Sequence, residues 1–354
     1  MRYWRYLLLS TLLVSTQTFA QSSSEGQLHV ASLADCRLQS GIILHACRVG
    51  YRTFGQLNAA GDNAVLMPTW LYGTSAELAQ FFGDGKSAQH LVDTTRFFGI
   101  AVDALGNGVS SSPSNSPAPQ HGPDFPAITT RDMVAAEYRL VTEVLHLTHL
   151  HAVVGLSMGG EQTFVWAVDH PHFFDRAIPI LGTPRLTAYD LQVKRIMIDT
   201  IMSDPDFDNG RYTSEPPLKL ANLFGTLTVT SPEYRNSATS REQLNAFFAQ
   251  AEAPLAIDAN DRLTQLQAIT RQDVVGDRSI AEAAQATSAR FLVIVSARDH
   301  LVNPQPALDW AEALHAPTYI SQGTCAHIIM NCDAAAVSSR VRAFLATDAL
   351  PAGR

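Results

Sequence analysis

A serine between two glycines carries the first chemical signal of this sequence. Ser157 lies in the pentapeptide GLSMG, Gly155–Gly159, between a short apolar run and a segment with helical character. A serine in a tight strand-to-helix turn exposes its hydroxyl above the helix N-terminus, where it can attack a carbonyl carbon. The backbone amide of Met158 would then donate to the oxyanion that forms. The alternative is a glycine-rich helix start that only packs closely.

A serine hydroxyl needs a base, and the base needs an acid that orients it. In one known chain order the nucleophile comes first, the acid second and the base third. Asp299 follows an apolar run, and His327 comes after the next one. Both would then lie in loops that follow strands, at the same edge of the sheet as Ser157. The sequence therefore predicts a catalytic triad of these three residues.

A second oxyanion donor is expected from the loop after an earlier apolar run. That loop is Pro68–Ser75, PTWLYGTS. Backbone amides near Trp70 and Leu71 are the candidates, and the sequence does not choose between them. Trp70 and Tyr72 could equally form the wall of a pocket.

The four cysteines fall into two local pairs, Cys36 with Cys47 and Cys325 with Cys332. In an exported chain such pairs predict two disulfides. A Cys325–Cys332 bond would restrict the backbone that carries His327. Zinc is the alternative, but it would need all four thiols to converge at unusual spacings. We therefore expect no metal.

The first residues have the layout of a secretory signal peptide. Arg2 and Arg5 precede an apolar run at 7–14, and the small residues Thr18 and Ala20 then flank Phe19. This pattern predicts cleavage after residues 1–20 and export to the periplasm or the medium. The run is too short for a stable membrane anchor. A buried first helix is the alternative.

Composition narrows the range of partners. The chain has 354 residues, of which 46% are hydrophobic and 16% charged, with a formal net charge of −8. It has no Lys/Arg run, which argues against binding to nucleic acid or an anionic membrane. The GDGKSA stretch at 83–88 lacks the earlier glycine of a phosphate-binding loop, so no cofactor is expected. The expected ligand is a small-molecule ester or acyl donor. The sequence leaves open whether the protein forms a homodimer.

Short, continuous apolar runs and helical stretches follow one another along the chain. Such runs indicate strands buried on both faces, as in a parallel sheet, and the order predicts a doubly wound, mostly parallel α/β fold. A hairpin is expected at 38–55. The six runs are at 64–68, 97–103, 151–156, 177–181, 290–297 and 318–321.

The strand and helix rhythm stops between the fourth and fifth of these runs. About a hundred residues pass there without a buried strand, which is too long for a loop in a compact domain. We predict one domain, residues 21–354, with a helical lid at about 183–288 over the carboxyl edge of the sheet. A second independent domain is the alternative.

Seven stretches carry a family resemblance. They are LQSG at 38–41, YRTFGQLNAAGDNAVL at 51–66, GPDFPAITTRDMV at 122–134, GLSMGGEQTFVWAVDHP at 155–171, MSDPDF at 202–207, DAN at 258–260 and SARDHLVNP at 296–304. With them the chain resembles the homoserine O-acetyltransferase branch of the α/β-hydrolase superfamily. The resemblance implies an α/β-hydrolase fold with a helical lid and ping-pong acyl transfer through an acyl-serine. It assigns nucleophile, acid and base to Ser157, Asp299 and His327.

The chain also departs from that branch. Ile328 stands where an aspartate usually follows the catalytic histidine. In the lid, Asn222 stands in place of an arginine, and Val229 and Thr230 stand in place of a Tyr-Arg pair. In the family such polar groups would help to hold an amino-acid acceptor. Their loss suggests a less charged lid and an uncharged substrate.

Three functions are compatible with these residues. The first is an exported serine hydrolase that cleaves an uncharged ester through an acyl-serine. The second is an O-acyltransferase that uses the same triad with an alcohol acceptor. The third is a non-catalytic binding module on a hydrolase scaffold.

Overall fold

The computed structural model describes residues 25–347, so the predicted signal peptide at 1–20 lies outside the described residues. In chain order the strands are β1 (His29–Ser32), β2 (Cys36–Arg37), β3 (Ile43–Leu44), β4 (Arg48–Phe54), β5 (Ala64–Pro68), β6 (Phe82–Gly83), β7 (Val92–Asp93), β8 (Phe98–Val102), β9 (Leu150–Leu156), β10 (Phe174–Ile180), β11 (Arg290–Phe291), β12 (Val293–Ser296) and β13 (Thr318–Ser321).

The α-helices follow in the same way. They are α1 (Ser75–Leu78), α2 (Thr130–Arg139), α3 (Met158–Asp169), α4 (Ala188–Met202), α5 (Lys219–Thr228), α6 (Pro232–Ala238), α7 (Leu244–Ala251), α8 (Ala259–Ile269), α9 (Ile280–Gln285), α10 (Gln305–Leu314) and α11 (Ala334–Ala346). Within residues 25–347, no helix combines the length and the apolarity that crossing a membrane requires.

One nine-stranded sheet forms the centre of the fold. Its strand order is β1-β4-β8-β5-β9-β10-β12-β13, and β11 also pairs with β10. The pairs from β8 onward are parallel, whereas β1 and β4 are antiparallel to their neighbours. The predicted α/β-hydrolase fold is confirmed, and the six apolar runs all contain strands of this sheet.

Helices cover both faces of the sheet, which explains why the central strands are apolar throughout. All residues of β5 are buried. In β9, Val153 belongs to the core cluster shared with α2, α3 and α10. Its neighbour Val154 belongs to the cluster shared with α1 and α11. Alternate side chains of one strand therefore enter two separate cores.

The hairpin prediction for 38–55 is wrong in its extent. Only β2 and β3 form a small antiparallel pair, with Cys36 opposite Leu44. The chain then continues into β4, which pairs with β1 and β8 in the main sheet. The Cys36–Cys47 disulfide is formed and joins β2 to the residue before β4. Alternation along the chain indicates a strand, but it does not tell which distant strand supplies the hydrogen bonds.

The segment between β10 and β11 is helical and contains α4 to α9. It begins with α4, whose N-terminus carries a capping box between Thr187 and Asp190. Asp190 accepts hydrogen bonds from the amide and the hydroxyl of Thr187 at 2.8 Å each. We call residues 183–288 the lid, with the bounds that the sequence predicted.

Candidate active site

Ser157 lies at a sharp turn between β9 and α3. Its φ is 55° and its ψ is −120°, a combination of backbone angles that a residue with a Cβ atom rarely adopts. The flanking glycines make the turn possible. A Cβ on Gly155 would overlap the carbonyl group of Gly159, and a Cβ on Gly159 would lie 2.5 Å from the carbonyl oxygen of Pro68. The turn therefore brings α3 against the end of β5.

The three side chains that the sequence predicted as a triad form one hydrogen-bonded chain. His327 Nε2 lies 2.7 Å from Ser157 Oγ, and His327 Nδ1 lies 2.7 Å from Asp299 Oδ2. A carboxylate only accepts, so Nδ1 carries the proton and Nε2 is free to accept from the serine hydroxyl. The side chain of Asp299 is only 1% exposed and that of His327 8%. Proton transfer from serine to imidazole needs no rearrangement in this geometry.

The loop that carries His327 is held from two sides. The Cys325–Cys332 disulfide is formed and closes the short helical turn Ala326–Asn331. From the lid, the carbonyl oxygen of Val229 accepts from the His327 amide at 3.1 Å. With both pairs of thiols oxidised, the zinc alternative loses its ligands.

Three backbone amides are candidates for binding an oxyanion. Met158 begins α3 directly after the serine. Within the part of the chain that the structure describes, the amides of Met158, Trp70 and Leu71 have no hydrogen-bond acceptor. The amide of Tyr72 is excluded, because it donates to Gln265 Oε1 at 2.8 Å. The sequence expectation for this loop thus stays open between Trp70 and Leu71.

Comparison with known proteins assigns the sequence to a family. The family model described as alpha/beta hydrolase fold matches residues 71–330. The chain belongs to the α/β-hydrolase family. It is 33% identical over 271 residues to the ethyl acetate hydrolase of Pseudomonas veronii, with 73% of this chain and 76% of that protein covered. It is 30% identical over 314 residues to the homoserine O-succinyltransferase of Methylibium petroleiphilum, with 78% and 81% covered.

Solved structures give the same result for the fold of this α/β-hydrolase. An acetylester hydrolase from Corynebacterium glutamicum superposes with a TM-score of 0.83 at 25% identity, over 91% of this chain and 97% of that one. A homoserine O-acetyltransferase from Bacillus anthracis superposes with a TM-score of 0.79 at 22% identity, over 91% and 98%. The predicted resemblance is confirmed, and the relatives support a hydrolase or acyltransferase role.

Lys194 and Asp190 hold the loop that carries Asp299, and the sequence did not predict this role for either residue. Lys194 Nζ donates to the carbonyl oxygen of Leu301 at 2.9 Å, and Asp190 Oδ1 accepts from the Asn303 amide at 2.9 Å. In the same loop, Asp299 Oδ1 accepts from the two amides at 301 and 302 at 2.9 and 3.0 Å. The first helix of the lid therefore fixes the loop that orients the base. A lysine at apolar helix spacing carries no local signal for this role.

Lys194 is also a buried charge between two parts of the site. It is 1% exposed, and its charge faces the carboxyl groups of Glu161, Asp190 and Asp299. Glu161 lies in the first turn of α3, where its amide donates to the Ser157 carbonyl oxygen at 2.9 Å. Burial lowers the pKa of Lys194 and raises the pKa of Glu161, because the interior disfavours each charged form.

Ser157 and His327 open into a cavity of about 1100 Å³ between the sheet and the lid. Its wall is mostly apolar, but Arg235 and Arg262 also line it. The cavity wall therefore carries two cations that the sequence argument for a less charged lid did not include. That argument considered the lid positions that match the family, whereas Arg262 comes from α8 and reaches the cavity only in the folded chain.

Proposed function

We propose that this α/β-hydrolase is a serine esterase that acts through an acyl-Ser157 intermediate. The observation that carries the proposal is the hydrogen-bonded chain Ser157–His327–Asp299, with both distances at 2.7 Å. Ser157 Oγ attacks the ester carbonyl carbon, and its proton passes to His327 Nε2. The imidazolium then protonates the leaving alkoxide, and the alcohol departs.

The second half of the reaction uses the same residues in reverse order. A water attacks the acyl carbon while His327 takes its proton, and return of that proton to Ser157 Oγ releases the acid. Asp299 stays ionised and keeps the Nδ1 proton in place. The Met158 amide, together with that of Trp70 or Leu71, stabilises the oxyanion in both halves.

The substrate in this proposal is a short-chain ester. The similarity to the ethyl acetate hydrolase and to the acetylester hydrolase supports this choice. The sequence predicts an uncharged ester, and the two guanidinium groups that line the cavity make an acidic group on the ester compatible with the site as well.

The test is the turnover of nitrophenyl acetate by wild type and Ser157→Ala. We expect the variant to lose at least about 1000-fold in kcat, with an unchanged circular dichroism spectrum. Labelling of wild type but not of Ser157→Ala by a fluorophosphonate is expected as well. Wild-type turnover by the variant would refute the mechanism, and an unlabelled wild type would favour the binding module.

Acyl transfer to an alcohol is the second candidate. It is favoured by the homoserine O-succinyltransferase relative, which matches over 78% of this chain. Esterase and transferase share the acyl-enzyme and differ only in whether water or an alcohol attacks it. Product analysis with and without alcohols, using both an acetyl ester and an acyl-CoA as donor, separates the two. A new ester as the main product would favour the transferase.

We further propose that the protein is exported and that residues 1–20 are removed. Two disulfides support this, since such bonds persist in oxidising compartments. N-terminal sequencing of protein recovered from the periplasm or the medium of a producing bacterium tests the proposal. We expect the mature chain to begin at Gln21. Recovery of the whole protein from the cytoplasm with Met1 retained would contradict it.

A further inference from the structure

Arg262 is a buried cation in the wall of the catalytic cavity. It lies in α8 and is 4% exposed. Its Nη1 donates to Asn222 Oδ1 at 2.9 Å, while its Nε is buried without a hydrogen-bond acceptor. Among residues 25–347 no carboxylate lies within ion-pair distance of its guanidinium. Buried guanidinium groups normally have an anionic or strong acceptor partner, so this one has capacity for a ligand.

A second unused donor lies beside it. The guanidinium carbon of Arg262 is 5.4 Å from the ring centroid of Tyr72, and the buried hydroxyl of Tyr72 faces that guanidinium and has no acceptor for its own proton. Burial raises the pKa of Tyr72 well above its usual value, so its hydroxyl stays protonated and able to donate. Both residues line the cavity that contains Ser157.

The orientation of the guanidinium is fixed by the lid. Asn222 is 6% exposed, and its amide nitrogen donates to the carbonyl oxygens of Pro217 at 3.1 Å and Ala253 at 2.9 Å. These bonds determine that the Asn222 oxygen faces Arg262. The arrangement leaves the remaining N–H groups of Arg262 in a defined position rather than on a mobile side chain.

The acidic residues near Arg262 are engaged elsewhere or only weakly charged. Asp258 caps α8 by accepting from the amides at 260 and 261, and Asp261 accepts from Ser114. Burial and the charge of Asp258 raise the pKa of Glu215 to about 7, so this carboxyl group is partly protonated at neutral pH. The cavity wall therefore keeps positive charge at Arg262.

We propose that Arg262 and Tyr72 bind a carboxylate of the substrate, so that the preferred ester carries one acidic group near the scissile bond. A guanidinium can donate two parallel hydrogen bonds to a carboxylate, and the phenol supplies a third donor. Tyr72 directly follows Leu71, a candidate oxyanion donor, and adjacent Cα atoms are about 3.8 Å apart. We therefore expect the carboxylate to lie in the same cavity as the reacting carbonyl. This inference rests on the proposed esterase function.

The experiment compares esters that differ only by a carboxylate. For a carboxylate on the acid part, the pair is monoethyl succinate and ethyl 4-methylpentanoate. For one on the alcohol part, the pair is 3-acetoxypropanoate and 3-methylbutyl acetate. In each pair an isopropyl group replaces the carboxylate. Hydrolysis is followed by proton release, and the readout is the ratio of kcat/KM for the charged over the neutral ester.

We expect wild type to prefer the charged member of one pair, and that pair tells which part of the substrate reaches Arg262. In Arg262→Gln the ratio should fall about 10- to 100-fold, since charge-assisted hydrogen bonds are lost. Tyr72→Phe, which removes only the hydroxyl, should lower this ratio several-fold. It tests the inference independently if Arg262→Gln does not fold.

Arg235→Gln is the matched control, because Arg235 also lines the cavity but already donates to Thr239 Oγ1 at 3.2 Å. Its ratio of kcat/KM for the charged over the neutral ester should stay within about twofold of wild type. The reason is that direct contact with the carboxylate sets the preference, whereas the total charge of the cavity does not. Equal ratios in wild type, Arg262→Gln and Tyr72→Phe would overturn the inference while leaving the esterase proposal intact. Turnover of the neutral esters by Ser157→Ala would overturn the esterase proposal itself.

Discussion

Replacing Lys194 tests whether the lid positions the acid of the site. Lys194→Met keeps the length of the side chain but removes its charge and the 2.9 Å hydrogen bond to the Leu301 carbonyl oxygen. A charge-assisted hydrogen bond contributes about 1.5–3 kcal/mol, and the buried carbonyl is left without its donor. The carboxyl group of Glu161 also loses the cation that faces it. We expect the free energy of unfolding to fall by about 2–4 kcal/mol.

The effect on catalysis should appear in kcat. Lys194 does not line the cavity, so KM should stay within about twofold of wild type. Release of the loop at 299–303 lets the carboxylate of Asp299 shift against His327. A shift of about 1 Å can cost on the order of 100-fold in rate, so we expect kcat to fall about 10- to 100-fold. The assay is ester hydrolysis at saturating substrate, normalised by fluorophosphonate titration to the amount of folded enzyme.

Two further variants sharpen this test. Arg195→Met is the matched control, because Arg195 is the next residue of α4 and only pairs with Asp199 at the surface. It should leave kcat unchanged. Adding Glu161→Gln to Lys194→Met removes the uncompensated acid and should recover part of the stability, but not kcat. A normalised kcat of Lys194→Met equal to wild type would refute the positioning role.

Two other predictions concern stability. Burial raises the pKa of Glu137 to about 8, so the folded state holds a proton that the unfolded state loses above its ordinary pKa. Stability should therefore fall from about pH 5 to pH 8, by on the order of 4 kcal/mol, and urea titrations of Glu137→Gln should show a flatter profile. An equally steep profile in that variant would contradict this. The double variant Cys325→Ser/Cys332→Ser should lose about 2–3 kcal/mol and show a lower kcat, because the loop of His327 is less restrained. Unchanged melting temperature and kcat would rule out that role of the disulfide.

The sequence alone predicted the strands, the turn at Ser157 and the three residues of the triad. Apolar runs predicted the parallel strands because residues buried on both faces of a sheet cannot alternate with polar ones. The glycines around Ser157 indicated the turn, since only residues without a Cβ allow β9, α3 and β5 to approach so closely. The chain order of Ser157, Asp299 and His327 indicated which side chains to expect together, and they lie within hydrogen-bond distance.

Contacts between distant parts of the chain were decided only by the tertiary structure. The pairing of β4 with β1 and β8 depends on partners that its own alternation does not specify. Lys194 and Arg262 looked like ordinary helix residues, because a single cation has no sequence pattern that tells what it will face. Folding places one behind the loop of Asp299 and the other in the cavity wall. Burial then determines what each cation does, since a charge removed from water interacts strongly with the few groups around it.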